Sequence, residues 1–116
     1  MRQMAASEFL EALKSRNEVE LAVKRGGKWT TRPVWFAVDG ATVYLLPMYG
    51  ADTKWYKYIS ANPEIQLSVR GEKVRAEGKP VSDAQELAVV ISRFRSKYGE
   101  LERYYRKLDV AIAVTL

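Results

Sequence analysis

The spacing of apolar residues changes period several times along the chain. From Ser7 to Lys14, Phe9, Leu10 and Leu13 fall on one helical face, with Glu8 and Glu11 early and Lys14 and Arg16 late. That charge order suits the helix dipole and predicts a short N-terminal helix. From Glu18 the period becomes two: Val19, Leu21 and Val23 alternate with Glu20, Ala22 and Lys24, and Gly26-Gly27 permits a tight hairpin turn. A second strand is predicted over Trp29 to Val38, apolar on both faces from Val34 onward as a central or barrel strand would be. Pro33 within it requires a bulge or a missing ladder partner.

Asp39-Gly40 closes a hairpin onto a third strand, Thr42 to Leu46, which breaks at Pro47. Lys54 to Ala61 has helical spacing, with Trp55, Tyr58 and Ile59 on one face, and Asn62-Pro63 stops it. Glu64 to Arg70 alternates into a fourth strand, and Lys73 to Val81 follows a turn at Gly71-Glu72 as a fifth. Ser82 with Gln85, or Asp83 with Glu86, forms a capping box for a helix that turns Leu87, Val90, Ile91 and Phe94 to a core and ends at Gly99. Glu100 to Lys107 reads as a further short helix and Val110 to Leu116 as a sixth strand. The sum is a single α+β domain over residues 1–116, six short strands with flanking helices, for which a small barrel fits better than an open sheet.

Composition narrows the chemistry. In 116 residues, 47% are hydrophobic, enough for one packed core and evidence against disorder. The chain has no cysteine and no histidine, which removes disulfides, thiolate nucleophiles, the commonest general base and the usual zinc ligands. No run approaches a membrane span, and Arg2, Glu8 and Glu11 interrupt the N-terminal segment, so a cytoplasmic protein is expected. The net charge of +5 favours anionic partners without choosing among them.

No Ser–His pair, Walker loop or dinucleotide fingerprint is present, so no catalytic side chain and no metal site are expected, and reactivity in an enzyme of this composition would come from a cofactor. Lys28, Arg32, Thr53, Lys54 and Lys57 flank the Asp39-Gly40 hairpin or the helix after it and could hold an anion: Arg as a fork, Lys as a point charge, Thr53 as a hydroxyl beside helical amides. Surface solvation is the competing reading, above all for Lys57. Trp29, Trp35, Tyr49, Trp55, Tyr56 and Tyr58 surround the same stretch and could wall a flat ring or a subunit contact, or pack in the core. A later cluster mixes Phe94, Tyr98, Tyr104 and Tyr105 with Arg93, Arg95, Lys97, Arg103, Arg106 and Lys107. It suits a weak nucleic-acid surface or an apolar helix face over the barrel, the latter being the stronger reading.

The run RPVWFAVDGATVYLLPMYGADTKWYKYISANPEIQLSV resembles the core of the flavin-binding split β-barrel superfamily, that of pyridoxamine 5′-phosphate oxidase-like proteins and deazaflavin-dependent nitroreductases. Arg32-Pro33-Val34 with Trp35 and Phe36 resembles the family's second strand, Asp39-Gly40 its hairpin, Thr53-Lys54 its phosphate loop, and WYKYISANP the helix that follows. The resemblance implies a six-stranded split barrel forming a homodimer with FMN, or less often a deazaflavin or haem, between subunits. It implies that Arg32, Thr53 and Lys54 hold the phosphate, that Val34, Pro47, Met48 and Tyr49 line the ring, and that Lys28 matches a basic position of the deazaflavin branch; Trp55 opens the adjoining helix as a further ring wall.

The implied activity is two-electron transfer through the flavin to a small-molecule substrate that the sequence does not specify. The alternatives are a deazaflavin-dependent reductase and a non-catalytic module for an anionic ligand or nucleic acid. Two departures stand out: Gly50-Ala51-Asp52 lacks the deazaflavin branch's second glycine, and Asp52 is expected to oppose a phosphate. The basic substrate-binding residues and C-terminal extension of true pyridoxamine phosphate oxidases have no counterpart in this sequence, which argues against that specific activity.

Overall fold

A computed structural model describes residues 5–116; Arg2, part of the reading of the N-terminal segment, lies outside them. The elements run α1 (Ala6–Leu13), β1 (Val19–Arg25), β2 (Lys28–Val34), β3 (Phe36–Asp39), β4 (Thr42–Leu45), α2 (Lys54–Ala61), β5 (Glu64–Val69), β6 (Glu72–Val81), α3 (Ala84–Tyr98) and β7 (Ala111–Thr115), with one 3-10 turn at Gly50–Asp52. Among the described residues no helix is long and apolar enough to cross a membrane.

All ladders are antiparallel, in the order β2-β1-β5-β6-β7-β4-β3. The strand that bends the sheet is β6: Glu72 to Glu77 pair with β5, and Gly78 to Val81 pair with β7. Gly78 is the pivot. Its N–H donates to Pro63 O at 2.9 Å, and a Cβ there would lie 3.0 Å from both Ile59 Cγ2 and Ile112 Cγ2. Glycine lets the sheet fold over its own core at that point.

Among the described residues there are seven strands rather than six. The single strand expected over Trp29 to Val38 is two, because Val34 is the last residue paired to β1 and Phe36 the first paired to β4. Trp35 alone joins them, although they occupy opposite ends of the strand order. The sheet must therefore curl until its two ends meet at Trp35, and the barrel is split there. Of the two expectations for its apolar run, a central or a barrel strand, both halves are barrel strands at the ends of the sheet order rather than central ones. Pro33 sits on β2, an edge strand, where a missing N–H is tolerated.

The helix expected over Glu100 to Lys107 is also absent. The amides of Tyr104 and Tyr105 both donate to Leu101 O at 2.9 Å, a single turn, and the Arg106 N–H then leaves for Met48 O at 2.7 Å. A distant loop takes the hydrogen bond that a helix would have used.

Two apolar clusters hold the curl. Phe9, Leu13, Leu21, Phe36, Leu45, Ile59, Ile65, Leu67 and Ile112 fill the inside, closed by α1 and α2. On the outer face Val90 and Phe94 of α3 pack on Ala37, Tyr44, Val81 and Ala111, with Leu101 and Tyr105 from the segment after the helix. Burying each such Leu, Ile or Phe contributes roughly 1.5–3 kcal/mol. The capping box of α3 is the Asp83 version: Asp83 Oδ2 accepts from the Glu86 N–H at 2.9 Å.

Candidate functional site

Where the two ends of the sheet meet, a cleft of about 460 Å³ opens between the end of β2, the loop after β4, the start of α2 and the Tyr104–Tyr105 turn. Its size falls within the roughly 300–1,000 Å³ common for ligand sites. Its walls are chiefly apolar and aromatic: Val34, Trp35, Leu46, Met48, Tyr49, Trp55, Tyr104 and Tyr105, with Arg32, Thr53 and Glu18 as the polar groups.

Arg32 has an unusual balance. Nη2 donates to Thr30 Oγ1 at 2.8 Å, while Nη1 is buried and has no hydrogen-bond partner among the described residues. Burial draws the guanidinium's pKa below its ordinary value, and Tyr58 of α2 opposes that shift. A buried guanidinium nitrogen without an acceptor is costly. An anion beside it would supply the missing acceptor.

The loop from Pro47 to Thr53 is built on its own backbone. Gly50 N–H donates to Pro47 O at 3.1 Å, Asp52 N–H to Tyr49 O at 3.2 Å, and Thr53 N–H to Gly50 O at 3.0 Å. Thr53 is 8% exposed, and its hydroxyl accepts from the Tyr49 N–H at 2.8 Å. It can still donate its proton. Among the described residues no side chain caps α2, so the amides of its first turn keep their attraction for an anion.

A strap from the C-terminal side fixes this loop. Besides the Arg106–Met48 bond, Lys107 bridges Tyr49 and its Nζ lies 2.5 Å from Asp52 Oδ2. The bond to Lys107 holds the Asp52 carboxyl below the usual range. Asp52 therefore faces a lysine rather than opposing an anion, and it is not a wall of the cleft. The sequence did not anticipate this pairing, because the two residues lie 55 positions apart.

Trp35 is held between aromatic neighbours: its ring stacks on Tyr98 at 4.2 Å with 6° between planes, and Tyr104 is tilted 4.9 Å away on a second contact. The Tyr98 hydroxyl accepts from the Phe36 N–H at 3.1 Å and lies 2.8 Å from both Phe36 O and Asn17 O, either of which can take its proton. Burial pushes its pKa up to about 12. The junction residue is thus locked in place.

Of the residues singled out in the sequence, Arg32, Val34, Met48, Tyr49, Thr53 and Trp55 line this one cleft. Pro47 is buried beneath the loop, where its carbonyl closes the turn. Lys54 is exposed at the start of α2, and Lys28 stands on the exposed β1–β2 hairpin tip opposite Arg25; neither is a wall of the cleft. Tyr104, Tyr105 and Glu18 are walls that the sequence reading did not assign to it. The mixed basic and aromatic run around Tyr104 was visible, but its proximity to Met48 was not. Four of the six basic residues in that run are engaged within the fold: Arg93 with Asp39, Arg95 with Glu102, Lys97 with Phe36 O and Lys107 with Asp52. Among the described residues no group of three or more acidic, His or Cys side chains is placed to hold a metal ion.

Residues 9–114 match the family described as "Uncharacterized protein conserved in bacteria (DUF2255)". The chain belongs to that family. No curated protein matches this DUF2255 chain in sequence. In structure it is similar to a Listeria innocua protein described provisionally as a pyridoxamine 5′-phosphate oxidase, with a TM-score of 0.70, 13% identity, and coverage of 96% of this chain and 91% of that one. It is also similar to an FAD-binding protein of Mesorhizobium loti (TM-score 0.70, 19% identity, 99% and 90% covered). An F420-H2 dependent reductase is a third (TM-score 0.70, 15% identity, 85% and 94% covered). The DUF2255 chain therefore shares the fold of these three proteins, in keeping with the split barrel that its Arg32-to-Val69 stretch implied.

Proposed function

We propose that the cleft seats FMN, with a deazaflavin as the alternative, and that the protein is a flavin-dependent oxidoreductase working as a homodimer. The observation that carries this reading is the buried, unpaired Nη1 of Arg32 in a cleft bordered by the uncapped start of α2. A phosphate there would accept from Arg32, from the Thr53 hydroxyl proton and from the first amides of α2, with the Lys54 charge nearby. Val34, Met48, Tyr49 and Trp55, joined by Trp35 and Tyr105, would wall the ring and exclude water. Bound flavin would supply two-electron transfer to a small substrate; the chain's residues bind and orient it and keep the surroundings positive.

The similarity in fold to proteins whose descriptions include FAD binding and F420-H2 dependence supports a flavin-type ligand. Met48, Tyr49 and Tyr104, which are 48%, 52% and 48% exposed around the same cleft, support a second copy closing over it. Lys28 has a role in this scheme only towards that second copy.

The test is titration of the purified chain with FMN and with a deazaflavin, read by visible absorbance, beside sedimentation to give the oligomeric state. Arg32→Gln is expected to weaken binding roughly tenfold to a hundredfold, the loss of one charge-assisted hydrogen bond, while the circular dichroism spectrum is unchanged. A wild-type protein that takes up neither compound would overturn the reading.

A further inference from the structure

On the other side of Trp35 lies an open groove of about 700 Å³. Trp35 and Glu18 belong to both the groove and the cleft, so the two are contiguous. Arg16 enters the groove from the turn after α1, where its N–H donates to Leu13 O at 3.0 Å, and Arg70 enters from the β5–β6 turn. Among the described residues neither arginine has an ion-pair or hydrogen-bonded side-chain partner. Among the described residues Glu18 is the carboxylate in this wall and makes an ion pair with neither. Arg16, Glu18 and Arg70 continue into an adjoining depression where Glu20 is a second carboxylate, so two guanidiniums stand beside two carboxylates.

The backbone at Arg70 supplies an independent observation. Arg70 and Gly71 form a two-residue turn with φ of 55° and 78°, and Arg70 is the one non-glycine residue at positive φ among those described. A turn of this hand asks for Asn, Asp or Gly at its first position. Arginine is sterically disfavoured there and is exposed, so the fold gains no packing from it. Strain of this kind is kept where a side chain has a task.

We infer that Arg16 and Arg70 form a seat for the carboxylate of a small organic acid. A planar carboxylate matches the guanidinium fork, and Glu18 and Glu20 beside the arginines oppose a phosphate dianion more than a carboxylate monoanion. The seat stands on the groove alone. That its occupant is the substrate, reaching the cofactor past Trp35, rests on the flavin reading above.

The experiment uses the full chain, with and without FMN, and follows backbone, indole and arginine side-chain resonances on addition of benzoate, benzyl alcohol or inorganic phosphate. Benzoate is expected to shift Arg16, Arg70 and Trp35 in both samples, and the neutral alcohol to leave them unmoved. Arg70→Asn removes the guanidinium and suits the left-handed turn, so it should weaken benzoate roughly tenfold while raising Tm. Arg16→Gln should weaken it similarly. No benzoate binding, equal binding of the alcohol, tighter binding of phosphate, or wild-type affinity in Arg70→Asn would each overturn the assignment. FMN uptake is read in the same samples by visible absorbance. Benzoate bound by a protein that takes up neither FMN nor a deazaflavin supports the seat and sinks the flavin reading, and uptake of either without benzoate binding sinks the seat alone.

Discussion

Tyr98 lies flat against Trp35, with ring centroids 4.2 Å apart, and its hydroxyl reaches past that ring to the backbone of Phe36. The last residue of α3 thereby pins the point where the two ends of the curled sheet meet. Replacing Tyr98 by Phe keeps the stack and leaves the Phe36 N–H without its acceptor. The expected loss is about 1–3 kcal/mol in urea unfolding, set by the desolvated amide.

The same hydroxyl makes stability fall at alkaline pH. Tyr98 is held neutral, with its pKa raised to about 12 from an unfolded value near 10, and Tyr105 is shifted upward by burial as well. A raised acid pKa means the contribution is complete below pH ~10 and is lost as pH rises from there through about 12. The difference in unfolding midpoint between wild type and Tyr98→Phe should narrow across that window, in step with phenolate absorbance.

Gly50 cannot be replaced quietly. At φ 58° an added Cβ would lie well inside contact distance of Asp109 Oδ1 and 2.9 Å from Lys107 Cβ. Gly50→Ala combines left-handed strain with a clash against the strap, so a loss of about 2 kcal/mol or more is expected from thermal unfolding. A Tm equal to wild type would mean that the strap yields freely.

Lys107→Met removes the exposed partner of Asp52. Exposed pairs contribute little to global stability, so Tm should barely move. The loop should loosen instead: hydrogen exchange at Gly50, Asp52 and Thr53, whose amides close the turn, is expected to accelerate. High salt should bring wild type part of the way to the variant.

Asp83→Ala deletes the side-chain acceptor at the start of α3. About 1 kcal/mol should be lost. Asp83→Asn or Asp83→Ser should restore most of it in the same unfolding assay.

Much of this architecture was legible locally. Gly26-Gly27, Asp39-Gly40 and Asn62-Pro63 set turns and a helix stop by backbone chemistry, and the turn glycines Gly26, Gly27 and Gly40 all have positive φ. Lys54–Ala61 has the expected bounds, and Ile65, Leu67 and Val69 are buried in alternation. Arg32, Thr53 and Trp55 could be placed near one another because a hairpin and a short loop join them. The pattern puts Trp35 mid-strand because it is apolar on both sides, and only pairing to different partners reveals the break. The helical spacing after Gly99 misled for the same reason, because Met48 O captures the Arg106 amide.

The sequence by itself determined the turns, most elements, the absence of cysteine and histidine chemistry, and the flavin-barrel resemblance, because each rests on residue type and near-neighbour spacing. Only the tertiary structure decided that the barrel splits at Trp35, that Lys107 takes Asp52, that Tyr104 and Tyr105 wall the cleft, and that Nη1 of Arg32 has no partner among the described residues. Those features depend on burial and pairing between residues tens of positions apart, which a curled sheet brings together and a linear pattern does not encode.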